Sequence, residues 1–491
     1  MSNKNNENYI PKPCGGRGTC GKCKIKITKG NVEPNERDKK FLTEKEISNN
    51  YRMACGHTLD DSVEFVAVKE NFKTVSTYSN GNIISAQNEN ANNNNNQNIN
   101  FNNNSYSIII DVGTTTICSQ LLDFNSEPIK TISLPNSQRA FGADVLSRIS
   151  KASAGGFPHL CNMLKSDLKK AIYSLCENIT DTPKNIYIAG NTTMTYFLRQ
   201  MDCRGLGSYP FENNAKDVYE TDSKSFLGND FKFSADITIL PCIHAFVGGD
   251  IVSGAYFLNL DKERNSLFID IGTNGEIILN SNGTLYCSSV AAGPAFEGGS
   301  ISCGTGGIEG AINSIKYVNN NFEYTTIGNT PPVGICGSAL IDLLAELLEN
   351  NFIDKTGLLA DSFFSTGVTI TGKVKLTQKD IRQLQLAKSA IYSGIQCILS
   401  YAKTTFSEIE KVFIGGGFGF YLNLESAFRI KMLPEEFRNK IYFCGNTCLG
   451  GLAKLNKTKS SDYLNFITST KPISLAETDE FQSYFIENLN F

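Results

Sequence analysis

Four cysteines in the first part of the chain have the spacing of an iron–sulfur site. Cys14, Cys20 and Cys23 follow one another as C-x5-C-x2-C, and Cys55 comes after a further thirty-one residues. Plant-type [2Fe–2S] clusters are held by C-x4-C-x2-C and one distant cysteine, so only the first gap differs, by one residue. The glycines between these cysteines suit the tight turns through which several thiolates converge on one cluster. The spacing therefore predicts a [2Fe–2S] cluster held by these four residues.

Three other interpretations of this stretch fit less well. A tetrahedral zinc site usually has two C-x2-C or Cys/His pairs, and this stretch has one. Structural disulfides are typical of small secreted proteins, which this sequence does not resemble. Residues 16–23 nearly spell the phosphate-binding pattern G-x4-G-K-[ST], but Cys23 stands where the magnesium-binding hydroxyl should be, and no buried strand precedes it.

Composition narrows the classes of function. The chain has 491 residues, a formal net charge of −3 and 41% hydrophobic residues, which predicts more than one globular domain and argues against a nucleic-acid partner. We expect no membrane partner, because no apolar run approaches the ~18 residues of a membrane span, and we expect no secretory signal. Fifteen cysteines beside only three histidines indicate a reducing compartment, the cytoplasm, and make a centre of several histidine ligands improbable.

A strand followed by Asp-x-Gly-Thr occurs twice in the chain. Residues 107–116 read Ser-Ile-Ile-Ile-Asp-Val-Gly-Thr-Thr-Thr, and residues 266–275 read Ser-Leu-Phe-Ile-Asp-Ile-Gly-Thr-Asn-Gly. Such a glycine turn lets backbone N–H groups approach phosphate oxygens, while the neighbouring hydroxyls add donors and the Asp orients a metal-bound water. The repeat after about 160 residues predicts a duplicated domain with two related lobes.

A third glycine turn follows a long predicted helix. Residues 381–406 have helical character, and Thr377 with Asp380 forms a capping box before them. The next strand ends in Gly415, Gly416 and Gly417. After two phosphate-binding turns, this order favours a close approach of the backbone to the ribose and base of a nucleotide.

The elements around the cysteines predict a small β-rich module. Residues 24–28 and 63–68 alternate as half-buried strands do, and Thr43 with Glu46 predicts a capped short helix. We expect this module to span 1–72. Residues 73–105 form an Asn-rich linker that cannot bury apolar surface. The duplicated domain fills 106–491, with a first lobe over about 106–260, a second over about 261–470 and a C-terminal tail.

The three glycine turns resemble those of the actin, sugar-kinase and heat-shock-chaperone ATPase superfamily. Segments at 141–149, 189–194, 245–250, 291–299, 334–338 and 386–388, together with the N-terminal cysteines, resemble the reductive activators of corrinoid proteins. The resemblance implies an α/β fold, in which two ribonuclease-H-like lobes follow an abbreviated β-grasp ferredoxin-like module. Better-known members carry a linker helix and a middle domain between the two parts. We expect the Asn-rich tether to replace both here.

The resemblance also implies a reaction and its participants. The chain would transfer one electron from its [2Fe–2S] cluster to a corrinoid methyl-carrier protein, reducing Co(II) to Co(I) with ATP and Mg²⁺. Its partners would be a corrinoid-dependent methyltransferase system and an upstream electron donor, and a homodimer is left open. The resemblance assigns Mg²⁺ to Asp111 and Asp270 and the attacking water to one of Asp144, Asp250 and Glu297, unless these three serve as helix caps. It assigns the phosphates to Gly113, Thr114, Thr115, Gly272, Thr273 and Asn274, and the adenosine side to Gly415, Gly416 and Gly417.

Three rival functions use the same features. A small-molecule kinase on this fold would need no cluster. An activator of 2-hydroxyacyl-CoA dehydratases would carry a [4Fe–4S] cluster at a dimer interface instead of a ferredoxin module. A plain electron carrier would have no use for two intact phosphate turns.

Overall fold

The computed structural model describes residues 23–59, 62–68, 84–85, 106–142, 144–177, 179, 182–458, 460–475 and 478–491. Cys14 and Cys20, which we predict as cluster ligands, lie outside the described residues, as does most of the predicted linker. In this part of the chain no helix is both long enough and apolar enough to cross a membrane.

The N-terminal module contains a three-stranded antiparallel sheet in the order β2-β1-β3. Ile25, Ile27 and Met53 form its core together with the Cys23 side chain. The predicted capping box at Thr43 and Glu46 is confirmed by reciprocal hydrogen bonds. The elements are β1 (Lys24–Lys29), α1 (Glu36–Phe41), α2 (Glu44–Ser48), β2 (Tyr51–Met53) and β3 (Glu64–Ala67).

Part of the predicted linker has regular structure. Residues Ile84–Ser85 form strand β4, which pairs antiparallel with a strand at Ile441–Phe443 far along the chain. Strand β4 lies at the edge of a seven-stranded sheet. This segment therefore adds two residues to the main domain, although the sequence predicted a featureless tether.

The first lobe has a six-stranded sheet in the order β7-β6-β5-β8-β10-β9. Its central strands β5 and β8 are apolar on both faces because helices or the other lobe cover both sides. The strands are β5 (Ser107–Val112), β6 (Thr116–Leu122), β7 (Pro128–Pro135), β8 (Asn185–Gly190), β9 (Tyr219–Asp222) and β10 (Asp236–Ile239). The helices are α3 (Val145–Lys151), α4 (Phe157–Leu175), α5 (Thr192–Arg199), α6 (Ser223–Leu227) and α7 (Gly249–Phe257).

The second lobe is built on a seven-stranded sheet in the order β21-β13-β12-β11-β19-β20-β4 and carries two smaller sheets. The predicted long helix is present with its Thr377–Asp380 capping box, but it ends at Tyr401 and not at residue 406. The strands are β11 (Ser266–Ile271), β12 (Gly275–Ser281), β13 (Thr284–Val290), β14 (Ala311–Val318), β15 (Asn321–Thr326), β16 (Gly334–Ile335), β17 (Val368–Thr371), β18 (Val374–Leu376), β19 (Lys411–Gly415), β20 (Ile441–Phe443) and β21 (Thr470–Pro472). The helices are α8 (Gly337–Glu349), α9 (Asp361–Phe364), α10 (Gln378–Tyr401), α11 (Gly416–Phe420), α12 (Leu424–Arg429), α13 (Thr447–Lys457), α14 (Ser460–Ser469) and α15 (Asp479–Glu487).

The two large sheets repeat one topology, which confirms the predicted duplication. Strands β5 and β11 each pair antiparallel with the following strand and parallel with a later one, β8 or β19. The next parallel strand outward is β10 in the first lobe and β20 in the second. Helices α7 and α13, which follow these two strands, pack against each other.

Small residues allow helices α7 and α13 to approach closely. A Cβ atom at Gly451 would lie 2.0 Å from the Ser253 carbonyl oxygen, and one at Gly254 would lie 2.4 Å from the Thr447 hydroxyl. The Ser253 hydroxyl donates to the Cys448 carbonyl oxygen at 3.0 Å. This contact joins the first lobe to the second.

Candidate functional site

A cleft of about 640 Å³ lies between the lobes and receives the ends of the matching strands. Both predicted phosphate turns follow the ends of β5 and β11, and all four carboxylates predicted as catalytic by their place in these turns or beside them, Asp111, Asp250, Asp270 and Glu297, line the cleft. Because the two lobes share one topology, their equivalent turns face each other across this cleft. The predicted residues that line it are Asp111, Gly113, Thr114, Thr115, Asp250, Asp270, Gly272, Thr273, Asn274, Glu297, Gly416 and Gly417.

The first phosphate turn is held from behind by buried polar side chains. Gly113 donates its N–H to the Thr116 carbonyl at 3.0 Å, and a Cβ at Gly113 would lie 2.8 Å from that oxygen. The Asn136 side-chain amide donates to the Gly113 carbonyl at 2.9 Å. The fully buried Arg148 donates to the carbonyl of Thr114. With its carbonyls bound on the protein side, the turn keeps a fixed shape at the cleft.

One carboxylate connects the two phosphate turns. The Thr115 hydroxyl of the first lobe donates to Glu297 Oε2 at 2.9 Å. The Thr273 hydroxyl of the second lobe donates to Oε1 of the same side chain at 3.1 Å. Glu297 thus occupies two of the three threonine hydroxyls that the sequence assigned to phosphate binding.

Burial raises the pKa values of the carboxyl groups of the cleft, and neighbouring charges add to the effect at Asp250 and Asp270. Burial raises the pKa of Asp270 to about 7, with added repulsion from Asp111 and Glu297. Burial raises the pKa of Asp111 to about 6, against the opposing effect of the Asn446 amide, which donates to Asp111 Oδ2 at 2.7 Å. Burial and the charge of Asp111 raise the pKa of Asp250 to about 8. These carboxyl groups suit a divalent cation that keeps its water ligands rather than one held by three side chains directly.

Sequence reasoning missed a fifth carboxyl group, Glu276. It lies directly opposite Asp270 in the β11–β12 hairpin and lines the cleft. Burial raises its pKa well above the ordinary value, followed by the charges of Asp250 and Asp270. The hairpin register could have indicated its position, because a short turn after Asp270 places the residue after Gly275 across from it.

The residues at the start of α7 and α13 occupy equivalent places in the two lobes. Asp250 is the second residue of α7, and Cys448 is the second residue of α13. The Cys448 thiol hydrogen-bonds to Asp111, and burial raises the pKa of this thiol well above its usual range. Cys448 and the N-cap Asn446 both reach Asp111 from about 335 residues away along the chain, so no local sequence pattern placed them at this site.

The glycines of the third turn have two different roles. Gly416 has φ +79°, and a Cβ there would lie 2.5 Å from Asp270 Oδ1, so only glycine fits beside this carboxylate. Gly417 also lines the cleft, whereas Gly415 does not. A Cβ at Gly415 would instead lie 2.8 Å from the Phe268 ring. Gly415 therefore permits packing behind the site, and the expectation that it faces a nucleotide is not met.

The wall beyond this turn is aromatic. Phe296 and Phe418 stack with ring centroids 5.5 Å apart and an interplanar angle of 22°. Both line the cleft, as does the half-exposed Tyr421. Flat apolar rings of this kind suit a nucleobase.

Asp144 does not belong to this cleft. Its carboxylate accepts from the Ser147 N–H at 2.8 Å and caps helix α3. The alternative open at the sequence level, a helix cap, is thus the one found.

Two predicted cluster ligands come together in the N-terminal module. The Cys55 N–H donates to the Cys23 sulfur at 3.3 Å, and Cys23 is buried. A backbone N–H directed at a cysteine sulfur is the arrangement that stabilises a thiolate-bound cluster. These two residues therefore fit a [2Fe–2S] cluster. Among the described residues no three His, Cys, Asp or Glu side chains are grouped to hold a metal ion.

Three family descriptions match consecutive parts of the chain. Residues 2–59 match "2Fe-2S iron-sulfur cluster binding domain", residues 106–263 match "RACo middle region", and residues 264–491 match "C-terminal domain of RACo the ASKHA domain". The middle region that we expected the tether to replace is therefore present. It is the segment interpreted from sequence as the first lobe.

Relatives of known name cover most of the chain. It is 31% identical to "Corrinoid activation enzyme RamQ" of Eubacterium limosum over 79% of this chain and 70% of that protein. It is 23% identical to "[Co(II) methylated amine-specific corrinoid protein] reductase" of Methanosarcina barkeri over 79% of this chain and 77% of that protein. A solved "Reductive activator for corrinoid,iron-sulfur protein" superposes with a TM-score of 0.70 at 25% identity, over 99% of this chain and 94% of that one. The chain belongs to the family of reductive activators of corrinoid proteins.

Proposed function

We propose that this protein reduces the cobalt of a corrinoid protein from Co(II) to Co(I) in an ATP-dependent reaction. The observation that carries the proposal is the presence, in one chain, of a cluster-binding module and a two-lobed cleft with paired phosphate turns. The relatives named as corrinoid activators support the choice of acceptor.

The module supplies the electron. We infer that Cys14, Cys20, Cys23 and Cys55 hold a [2Fe–2S] cluster. When bound, a plant-type cluster gives up one electron at a potential near about −400 mV. That electron would reduce Co(II) to Co(I), so the exchange would need no proton. The hydrogen bond from the Cys55 N–H to the Cys23 sulfur orients both ligands before the cluster binds.

The cleft binds and hydrolyses ATP. The residues of both turns line the cleft, and we propose that they bind the phosphates, with the hydroxyls of Thr115 and Thr273 donating to phosphate once Glu297 releases them. We propose that Mg²⁺ is held through water by Asp111 and Asp270, because Mg²⁺ prefers few carboxylates and retained waters. We propose that Asp250, which also lines the cleft, orients the attacking water. The aromatic wall and the turn at Gly416 would accept the adenosine.

Glu297 makes the lobes responsive to the nucleotide. In the structure its carboxylate accepts from both Thr115 and Thr273. A bound phosphate would compete for both hydroxyls and repel the carboxylate, so ATP and its products would favour different arrangements of Glu297 and the lobes. Because Glu297 touches both turns, this exchange can transmit the state of the nucleotide to the surface that receives the corrinoid protein.

The experiment is the anaerobic reduction of a Co(II) corrinoid protein, monitored through the absorption band of Co(I). We expect Co(I) with reductant, ATP and wild-type protein, and none with Asp270→Asn or Cys23→Ser. ATP-independent reduction would refute the proposed coupling. Transfer of phosphate to a sugar would favour the kinase alternative, and a [4Fe–4S] signal in EPR would favour the dehydratase-activator alternative.

The cellular setting follows from the reaction. We propose a cytoplasmic protein that serves a corrinoid-dependent methyltransferase and is re-reduced by a separate electron donor. We also propose a homodimer, which light scattering of the purified holoprotein would test. A monomeric mass at working concentrations would refute that part alone.

A further inference from the structure

A buried carboxylate lies beneath the turn that carries Cys55. Asp38 is the third residue of helix α1, and its side chain is 0% exposed. Isolated buried carboxylates are unfavourable unless several donors surround them. Here the donors come from both ends of the turn formed by residues 53–57.

Asp38 joins the two ends of that turn. Its Oδ1 accepts from the Met53 N–H at 2.6 Å. Its Oδ2 lies 2.6 Å from His57 Nε2 and accepts from the Asn35 N–H at 2.9 Å. Cys55 stands midway between Met53 and His57, so its backbone is fixed on both sides by one side chain.

Two neighbours of Asp38 hold the middle of the turn. Arg37 donates to the carbonyl oxygen of Cys55, and the Asn35 amide donates to the Gly56 carbonyl at 2.7 Å. A Cβ at Gly56 would lie 2.9 Å from the Asn35 side-chain nitrogen. The start of helix α1 therefore acts as a clamp, which we define as Asn35, Arg37 and Asp38, on the turn of the fourth predicted ligand.

We propose that Asp38 has two effects on the cluster. Its hydrogen bonds position the turn that carries Cys55, and its buried negative charge keeps the reduction potential of the cluster low. This inference rests on the proposed function, because it requires a cluster on Cys55. Reduction adds one negative charge to the cluster, and a carboxylate fixed nearby in a buried region disfavours that charge. A low potential is what reduction of Co(II) demands of the donor. Surface charge would not serve, because water and salt screen it.

The test compares Asp38→Asn with Glu36→Gln in the reconstituted full-length protein. Glu36 lies on the same helix turn, but its side chain is 89% exposed. A redox titration monitored by EPR measures the reduction potential of the cluster, and the rate of iron release to a chelator measures the stability of the cluster. We expect Asp38→Asn to favour the reduced cluster at least tenfold, a rise of about 59 mV for one electron, and Glu36→Gln to leave the potential unchanged. An assembled Asp38→Asn cluster at the wild-type potential would overturn the inference.

The variant His57→Gln distinguishes the effect of the turn's position from the effect of the Asp38 charge. It loosens one end of the turn but keeps Asp38, so we expect faster iron release without a rise in potential. A rise equal to that of Asp38→Asn would mean that loosening alone shifts the potential, which contradicts the proposal. If Asp38→Asn assembles no cluster, an iron-release rate of His57→Gln equal to wild type would refute the clamp. Absence of a [2Fe–2S] cluster in the wild-type protein would refute the proposed function instead.

Discussion

The carboxyl cluster predicts that Asp270→Asn stabilises the protein in the absence of nucleotide. Asp270 is ringed by acidic neighbours and protein atoms, and its pKa rises from 3.8 to about 7. Below about pH 4 the Asp270 carboxyl is protonated in both the folded and the unfolded state, so it does not affect the free energy of unfolding. Between about pH 4 and pH 7 the unfolded chain ionises while the folded one retains the proton, and stability falls. Above about pH 7 the full penalty is present.

The structure sets the size of this effect. The rise in pKa corresponds to an upper limit of about 4 kcal/mol, at ~1.4 kcal/mol for each pKa unit. Because Asp270 is only partly buried and lines the open cleft, solvent screening lowers this energy, and we expect a gain in stability of ~2 kcal/mol. For a domain of several hundred residues, a gain of ~2 kcal/mol corresponds to a rise of a few degrees in the melting temperature.

Differential scanning calorimetry of the nucleotide-free protein is the assay, since the chain has no tryptophan to report unfolding by fluorescence. We expect Asp270→Asn to melt a few degrees above wild type at about pH 8, and the two to converge near pH 4. The control is Asp236→Asn, which removes an exposed carboxylate at the start of β10. A variant that is equally or less stable than wild type at pH 8 would refute the electrostatic reasoning.

Three further substitutions test other parts of the site. Gly416→Ala should impair ATP binding at least tenfold in a calorimetric titration, because the new Cβ would lie 2.5 Å from Asp270 Oδ1 in a left-handed conformation; unchanged affinity would contradict the fit. Glu297→Gln should tighten nucleotide binding in the same titration, since phosphate no longer meets a negative charge beside Thr115 and Thr273; unchanged or weaker affinity would contradict the competition between phosphate and Glu297. Cys23→Ser should lose the visible spectrum of the cluster but retain ATP affinity; weakened ATP binding would show that the cluster supports the cleft.

Local patterns predicted much of the fold and of the site. The two Asp-x-Gly-Thr turns were evident because strand, turn and donor residues are adjacent in sequence, and the repeated topology followed from them. The capping boxes at Thr43 and Thr377 were evident for the same reason. A short motif of this kind determines its own geometry, so tertiary contacts only place it.

Other features depend on contacts that sequence does not reveal. Asn446 and Cys448 reach Asp111 only because helix α13 packs on α7. Three consecutive glycines look alike in sequence, yet Gly415 faces Phe268 while Gly416 faces Asp270. The pairing of β4 with β20 involves two unremarkable residues in an Asn-rich segment.

The most direct measurement of the central claim is rapid anaerobic mixing of the reduced protein with a Co(II) corrinoid protein, with cluster and cobalt absorption recorded together. With ATP we expect the cluster to be oxidised and Co(I) to form at the same rate and in equal amounts. With ADP, or with Asp270→Asn and ATP, we expect neither change. Equal Co(I) formation with ATP and ADP, or Co(I) formation without cluster oxidation, would contradict ATP-coupled electron transfer from the cluster.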